Sequence, residues 1–117
     1  MNFVNGLKLW STNISLIDEA TKLYQNNICQ YVEIYIKPNT FSSYIDAWQN
    51  VDIPFIIHAP HFGDGLNFAV KEKKVDNYKM AYEAIEFAER LDAIYIIFHP
   101  GVGGNISETI NQINELK

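Results

Sequence analysis

The chain has 117 residues, 48% of them hydrophobic and 20% charged, with a net charge of −5. That is one domain of chain with enough apolar content to bury a core, which excludes a disordered polymer. Nine Lys and Arg against fourteen Asp and Glu argue against a binder of phosphate backbones, which relies on clustered basic residues. The tightest basic group, Lys71, Lys73 and Lys74, is interrupted by Glu72 and reads as a solvated helix start. The single cysteine, Cys29, cannot form an internal disulfide and fits a reducing compartment. The N-terminal residues show no basic segment followed by an apolar one, and no apolar run approaches the ~20 residues of a membrane span. The expectation is a soluble, cytoplasmic protein.

Short apolar runs alternate with segments of helical period. Leu7 to Trp10 reads as a first strand, bounded by Gly6 and by Ser11-Thr12-Asn13. Asn13 or Ser15 can cap a helix reaching Gln25, with Ile14, Leu16, Ile17, Ala20, Leu23 and Tyr24 on its apolar face. Tyr31 to Ile36 is a second strand, stopped by Lys37-Pro38-Asn39. Ser42 or Ser43 opens a short helix carrying Tyr44, Ile45, Ala47 and Trp48. Pro54 introduces a third strand, Phe55 to His58, followed by a long loop through His61, Phe62, Gly63, Asp64 and Gly65. The longest helix spans Lys73 to Leu91, and its three- and four-residue spacing predicts a buried stripe of Val75, Tyr78, Tyr82, Ile85, Ala88 and Leu91. Ala93 to Phe98 is a fourth strand whose unbroken apolar character implies burial on both faces. Asn105 or Ser107 caps a last helix carrying Ile106, Ile110, Ile113 and Leu116. Trp48, Tyr78, Tyr82 and Phe87 read as core.

The order is βαβαβαβα, and strands joined through helices run parallel by right-handed crossovers. Four units are about half of an eight-stranded barrel of ~250 residues. The fold class expected is therefore α/β, a single domain over 1–117 made of four parallel βα units, a partial TIM (β/α)8 barrel.

Two histidines carry the strongest chemical signal. Strand three ends in Ile57-His58-Ala59-Pro60-His61 and strand four in Phe98-His99-Pro100-Gly101. Strand C-termini form the active face of parallel α/β folds. Neighbouring strands lie ~4.8 Å apart, so two imidazoles at adjacent strand ends can reach one metal ion at ~2.1 Å each, or act as general acid or base. Trp10 ends strand one on the same face. Glu33 alternates with Val32 and Ile34. It points toward the barrel interior near Lys8, either in an ion pair or in the site. Gly101 to Asn105 before the last helix matches no complete phosphate loop and reads as a flexible connection.

The stretches Ile57-His58-Ala59-Pro60-His61…Asn67-Phe68-Ala69 and Phe98-His99-Pro100-Gly101 resemble the xylose-isomerase-like TIM barrels, which include the sugar-phosphate isomerases/epimerases and the endonuclease IV-type AP endonucleases (AP endonuclease family 2). The nucleases carry an H-x-x-Y-x-x-N stretch after strand three and F-H-P-G at the end of strand four. The resemblance implies that His58 and His99 are metal ligands and that the cofactor is a divalent ion, zinc, manganese or magnesium. Tyr31-Val32-Glu33-Ile34 resembles the strand-two Glu of the isomerases and implies a catalytic role for Glu33. Trp10, His61 and Asn67 fall at substrate-binding positions. His61 replaces an aromatic residue that engages DNA in the nucleases, and two extra residues around Gly63-Asp64-Gly65 separate it from Asn67. With the acidic charge, this favours a sugar or sugar phosphate over nucleic acid.

The ligands that the family takes from strands five to eight have no counterpart here. The resemblance thus implies the N-terminal half of a metal-dependent sugar isomerase or epimerase. The alternatives are an AP endonuclease acting on abasic DNA and a non-catalytic half-barrel. A half-barrel is expected either to self-associate or to need a missing C-terminal half.

Overall fold

The computed structural model describes residues 2–116. Four strands, β1 (Gly6–Trp10), β2 (Tyr31–Tyr35), β3 (Phe55–His58) and β4 (Ile96–Ile97), alternate with four helices, α1 (Ile17–Gln25), α2 (Phe41–Gln49), α3 (Lys74–Arg90) and α4 (Ile106–Glu115). The strands form one parallel sheet in the order β1-β2-β3-β4. This is the expected partial (β/α)8 barrel. Among the described residues no helix is long and apolar enough to cross a membrane.

The period of two splits the sheet into two faces. Leu9, Val32, Ile34, Phe55 and Ile57 turn toward the helices and form a buried core with Trp48, Phe68 and Phe87. Lys8, Trp10, Glu33, Tyr35, Ile56 and His58 occupy the opposite face, the lumen side of a barrel. The register aligns Lys8 with Glu33 and Ile56 in one layer, and Trp10 with Tyr35, His58 and Ile97 in the next.

Three expectations are corrected. The buried stripe of α3 is Asn77, Ala81, Ala84 and Phe87, whereas Val75 is 82% exposed and Tyr82 48% exposed. Ala88 and Leu91 of the expected stripe do pack against the core, but the larger Val75 and Tyr82 drew the reading away from the small buried residues. Alanines bring this helix close to the sheet, as α3 packs against β3 and β4. The fourth strand, expected over Ala93 to Phe98, is only Ile96–Ile97 and is not buried on both faces: Ile94 and Tyr95 before it and Ile97 within it are exposed because β4 is an edge with no fifth strand beside it among the described residues. The start of α2 is not capped by a serine. The Glu83 carboxylate of α3 accepts the N–H groups of Asn39, Thr40 and Phe41 at 2.9, 2.9 and 3.1 Å. A carboxylate at a helix N-terminus satisfies orphan donors and complements the helix dipole.

The two readings of α3 give a direct comparison of substitutions. Phe87→Ala is expected to destabilise by about 3–5 kcal/mol, and Val75→Ala to stay within about 0.5 kcal/mol. Urea midpoints of the two variants check this, and a Val75 effect comparable to that of Phe87 would contradict the packing.

Candidate metal and substrate site

The site lies at the C-terminal ends of β2, β3 and β4. His58 is buried at 6% exposure, and its ring sits 4.9 Å from the ring of His99 and 5.1 Å from that of Tyr35. Nδ1 of His58 lies 2.9 Å from the Ala59 carbonyl oxygen. A carbonyl only accepts, so Nδ1 carries the proton and Nε2 is left with a lone pair. The same arrangement orients metal-bound histidines, where a hydrogen bond from the distal nitrogen sets the tautomer. Nε2 of His99 stands 3.1 Å from Nε2 of His58 and donates to it in the neutral pair.

This geometry fits a metal ion as two of its ligands. Two nitrogens at ~2.1 Å from a tetrahedral ion are about 3.4 Å apart, so an ion can replace the shared proton after a small opening of the pair. The pair is not a complete site. Among the described residues no three His, Cys, Asp or Glu side chains converge on one point.

His61 occupies a different role from the pair. Its Nδ1 accepts the Gly63 N–H at 2.9 Å, which puts the proton of the neutral ring on Nε2. Its ring lies 5.4 Å from Tyr35 and 5.7 Å from His99, at the edge of the same cluster. Trp10 is 52% exposed on the rim, with the Lys37 ammonium 5.0 Å from its ring centroid. Glu33 lies one layer deeper than His58 and pairs with Lys8 at 3.3 Å.

Asn67 is buried, and its amide faces backbone. Oδ1 accepts the N–H groups of Ala69 and Val102 at 3.2 and 3.1 Å, and Nδ2 donates to the Val102 carbonyl at 2.8 Å. It therefore clasps the loop after β3 to the loop after β4, holding His58 and His99 in register with each other. Asn77 extends the clasp to Gln112 of α4 at 2.8 Å. The glycine-rich loop is accordingly a docked segment and not a free connection. Gly101 has φ +100°, and a Cβ there would collide with Asn67 Oδ1.

Sequence reasoning missed Tyr35, Lys37 and Asp64. The Tyr35 hydroxyl donates to Asp64 at 2.5 Å and accepts the His61 N–H at 3.0 Å, while Lys37 reaches both Asp64 oxygens at 3.2 Å. Burial, reinforced by the Asp64 carboxylate, pushes the Tyr35 hydroxyl up to about 12, and the Tyr35 and Lys37 contacts hold Asp64 below the usual carboxylate value. The alternation that turns Glu33 toward the lumen does the same for Tyr35, a signal that could have found it. Its partner Asp64, 29 residues away, carried no such signal.

No family model matches this sequence, and no curated protein does. A solved structure, endonuclease IV from Thermus thermophilus, is similar with a TM-score of 0.68 at 16% identity, over 95% of this chain and 45% of that chain. At that identity the likeness is one of fold. The chain is a partial TIM-type barrel that shares the fold of part of this structural neighbour and spans less than half its length.

Burial holds the His58 pKa below its ordinary value, against the opposing pull of the Ala59 hydrogen bond. Its folded value is then lower than its unfolded value of about 6.5, so its contribution to stability is full above about pH 6.5 and is lost as the pH falls through the folded value. Ring resonances followed by NMR in metal-free protein should show His58 titrating below about 6.5. A midpoint at or above that value would contradict the buried placement.

Proposed function

We propose that this chain is the N-terminal half of a divalent-metal-dependent sugar or sugar-phosphate isomerase or epimerase, with His58 and His99 as two of the metal ligands. The observation that carries this is the convergence of the two Nε2 atoms to 3.1 Å at neighbouring strand ends, with Nδ1 of His58 engaged by backbone. The ion, zinc, manganese or magnesium, would polarise the hydroxyl and carbonyl oxygens of the substrate. The remaining ligands would come from the other half of the barrel. In this reading Glu33 moves the proton, Trp10 offers an exposed ring face to the sugar, His61 donates a hydrogen bond, and Asn67 acts by holding the two loops together. In this reading the chain is one domain, over 1–117, of a cytoplasmic protein.

The alternative reading, hydrolysis at abasic sites in DNA, is raised by the name of the endonuclease IV neighbour, whose likeness to this chain is one of fold alone. The charges at the rim weigh against it. Lys8 and Lys37 are each paired with a carboxylate, Glu33 and Asp64, and so are already neutralised where a phosphate backbone would need free cations.

Titration calorimetry with zinc and manganese tests the site. One ion should bind, and His58→Ala and His99→Ala should each weaken it by at least about tenfold, or 1.4 kcal/mol. Binding unaffected by either substitution would remove the proposal. With the complete barrel, ketose–aldose interconversion against cleavage of an abasic duplex separates the two readings.

Alone, the half-barrel leaves β1 and β4 as unpaired edges, with Phe3, Val4, Trp10, Ile94, Tyr95 and Ile97 exposed near them. Such edges template pairing with another chain. The isolated 117-residue chain is therefore expected to self-associate, two halves completing an eight-stranded ring. Sedimentation showing a clean monomer at micromolar concentration would contradict this.

A further inference from the structure

The loop after β3 bends back over the rim in a 3-10 turn at Phe62–Asp64, closed by Asp64 N–H to the His61 carbonyl at 3.0 Å and Gly65 N–H to the Phe62 carbonyl at 3.0 Å. These local bonds shape the turn but do not attach it to the sheet. Tyr35, Asp64 and Lys37 do. The Tyr35 hydroxyl sits between the two ends of the turn, taking the N–H of His61 and giving its own proton to Asp64. Lys37, just past the end of β2, neutralises the Asp64 carboxylate from the other side. A buried tyrosine ring in a parallel sheet is a rigid post. A carboxylate bonded to both a hydroxyl and an ammonium loses most of its freedom to rotate.

Gly63 completes the device. A Cβ at this position would lie 2.5 Å from Cε1 and 2.9 Å from Nδ1 of His61. Only glycine lets the imidazole lie against its own turn and accept the Gly63 N–H. Among the described residues Nε2 of His61 has no hydrogen-bond partner, and the ring faces His99 at 5.7 Å. An N–H with no protein partner beside a histidine pair is free to donate to a ligand.

We propose that Tyr35, Asp64 and Lys37 form a positioning latch and Gly63 a tautomer lock, which together present His61 Nε2–H as a preset hydrogen-bond donor to an oxygen atom of whatever binds at the His58–His99 pair. The ligand class is an oxygen chelator with an anionic or hydroxyl oxygen on the His61 side, such as an enediolate or a deprotonated hydroxy-carbonyl compound. The inference rests on the metal reading for its ligand and on the turn alone for the latch, and the two are tested separately.

In the metal-free chain, nitrogen-15 shifts of His61 should show a single tautomer with the proton on Nε2, and the His61 amide should exchange slowly. Tyr35→Phe keeps the ring and removes the hydroxyl, and Asp64→Asn keeps the shape and removes the charge. Each should speed His61 amide exchange by about tenfold, the size of one lost hydrogen bond. Gly63→Ala should leave that amide protected and displace the ring, averaging the tautomers. With zinc-loaded chain and acetohydroxamate as the probe, all three variants should bind the probe about fivefold to tenfold more weakly, with unchanged zinc affinity.

A proton on Nδ1 in the unmodified chain, or variants with unaltered exchange and tautomer, would overturn the latch. Equal acetohydroxamate affinity in all the zinc-loaded chains would overturn the donor role. Failure of zinc to bind His58 and His99 would overturn the ligand assignment and the metal reading together, while the metal-free measurements would still decide the latch.

Discussion

The parallel register of the four strands is the constraint on which the site depends. Trp10, Tyr35, His58 and Ile97 align across the sheet because each strand is paired at one offset with the next. A slip by one residue would exchange the two faces of a strand, sending Tyr35 or His58 into the helix-facing core and Ile34 or Ile57 into the lumen. The buried row of Leu9, Ile34 and Ile57 makes that slip costly. The core thus sets the position of the polar row. His99, two residues beyond Ile97, then falls beside His58.

The loops convert register into chemistry. His58 and His99 meet because Asn67 ties their two loops together through backbone groups, and because glycine at 101 allows the loops to touch. His61 sits at the margin because the Tyr35–Asp64 contact anchors its turn to the sheet. The clasp and the latch act on opposite ends of one long loop. Both use buried or half-buried polar groups, whose release would leave unsatisfied donors and acceptors in a low-dielectric setting. Such networks favour one arrangement of the rim over many.

Much of the fold was legible in the sequence. β-branched and aromatic runs ending in His-x-Pro and His-Pro marked the strand ends, and Phe55–His58 matches β3. What escaped shares a physical cause: each missed feature depends on a partner distant in sequence. Asn77 is buried in α3 because Asn67 and Gln112 satisfy it, which no helical period reveals. Glu83 caps α2 from a helix 42 to 44 residues away, so the serines nearby gave a false start signal. Tyr35 and Asp64 read as an ordinary strand residue and an ordinary loop residue until the sheet brings them together. The exposure of β4 reflects which neighbours a half-barrel has, a property of the sheet edge and not of the strand's own residues.

The central claim is that the two strand-end imidazoles bind one divalent ion. Zinc K-edge X-ray absorption of the chain loaded with one equivalent of zinc tests it most directly. The account predicts two imidazole ligands at about 2.0–2.1 Å with oxygen donors completing the shell, and loss of the imidazole scattering in His58→Ala/His99→Ala. A zinc shell without imidazole, or the same spectrum in the double variant, would contradict it.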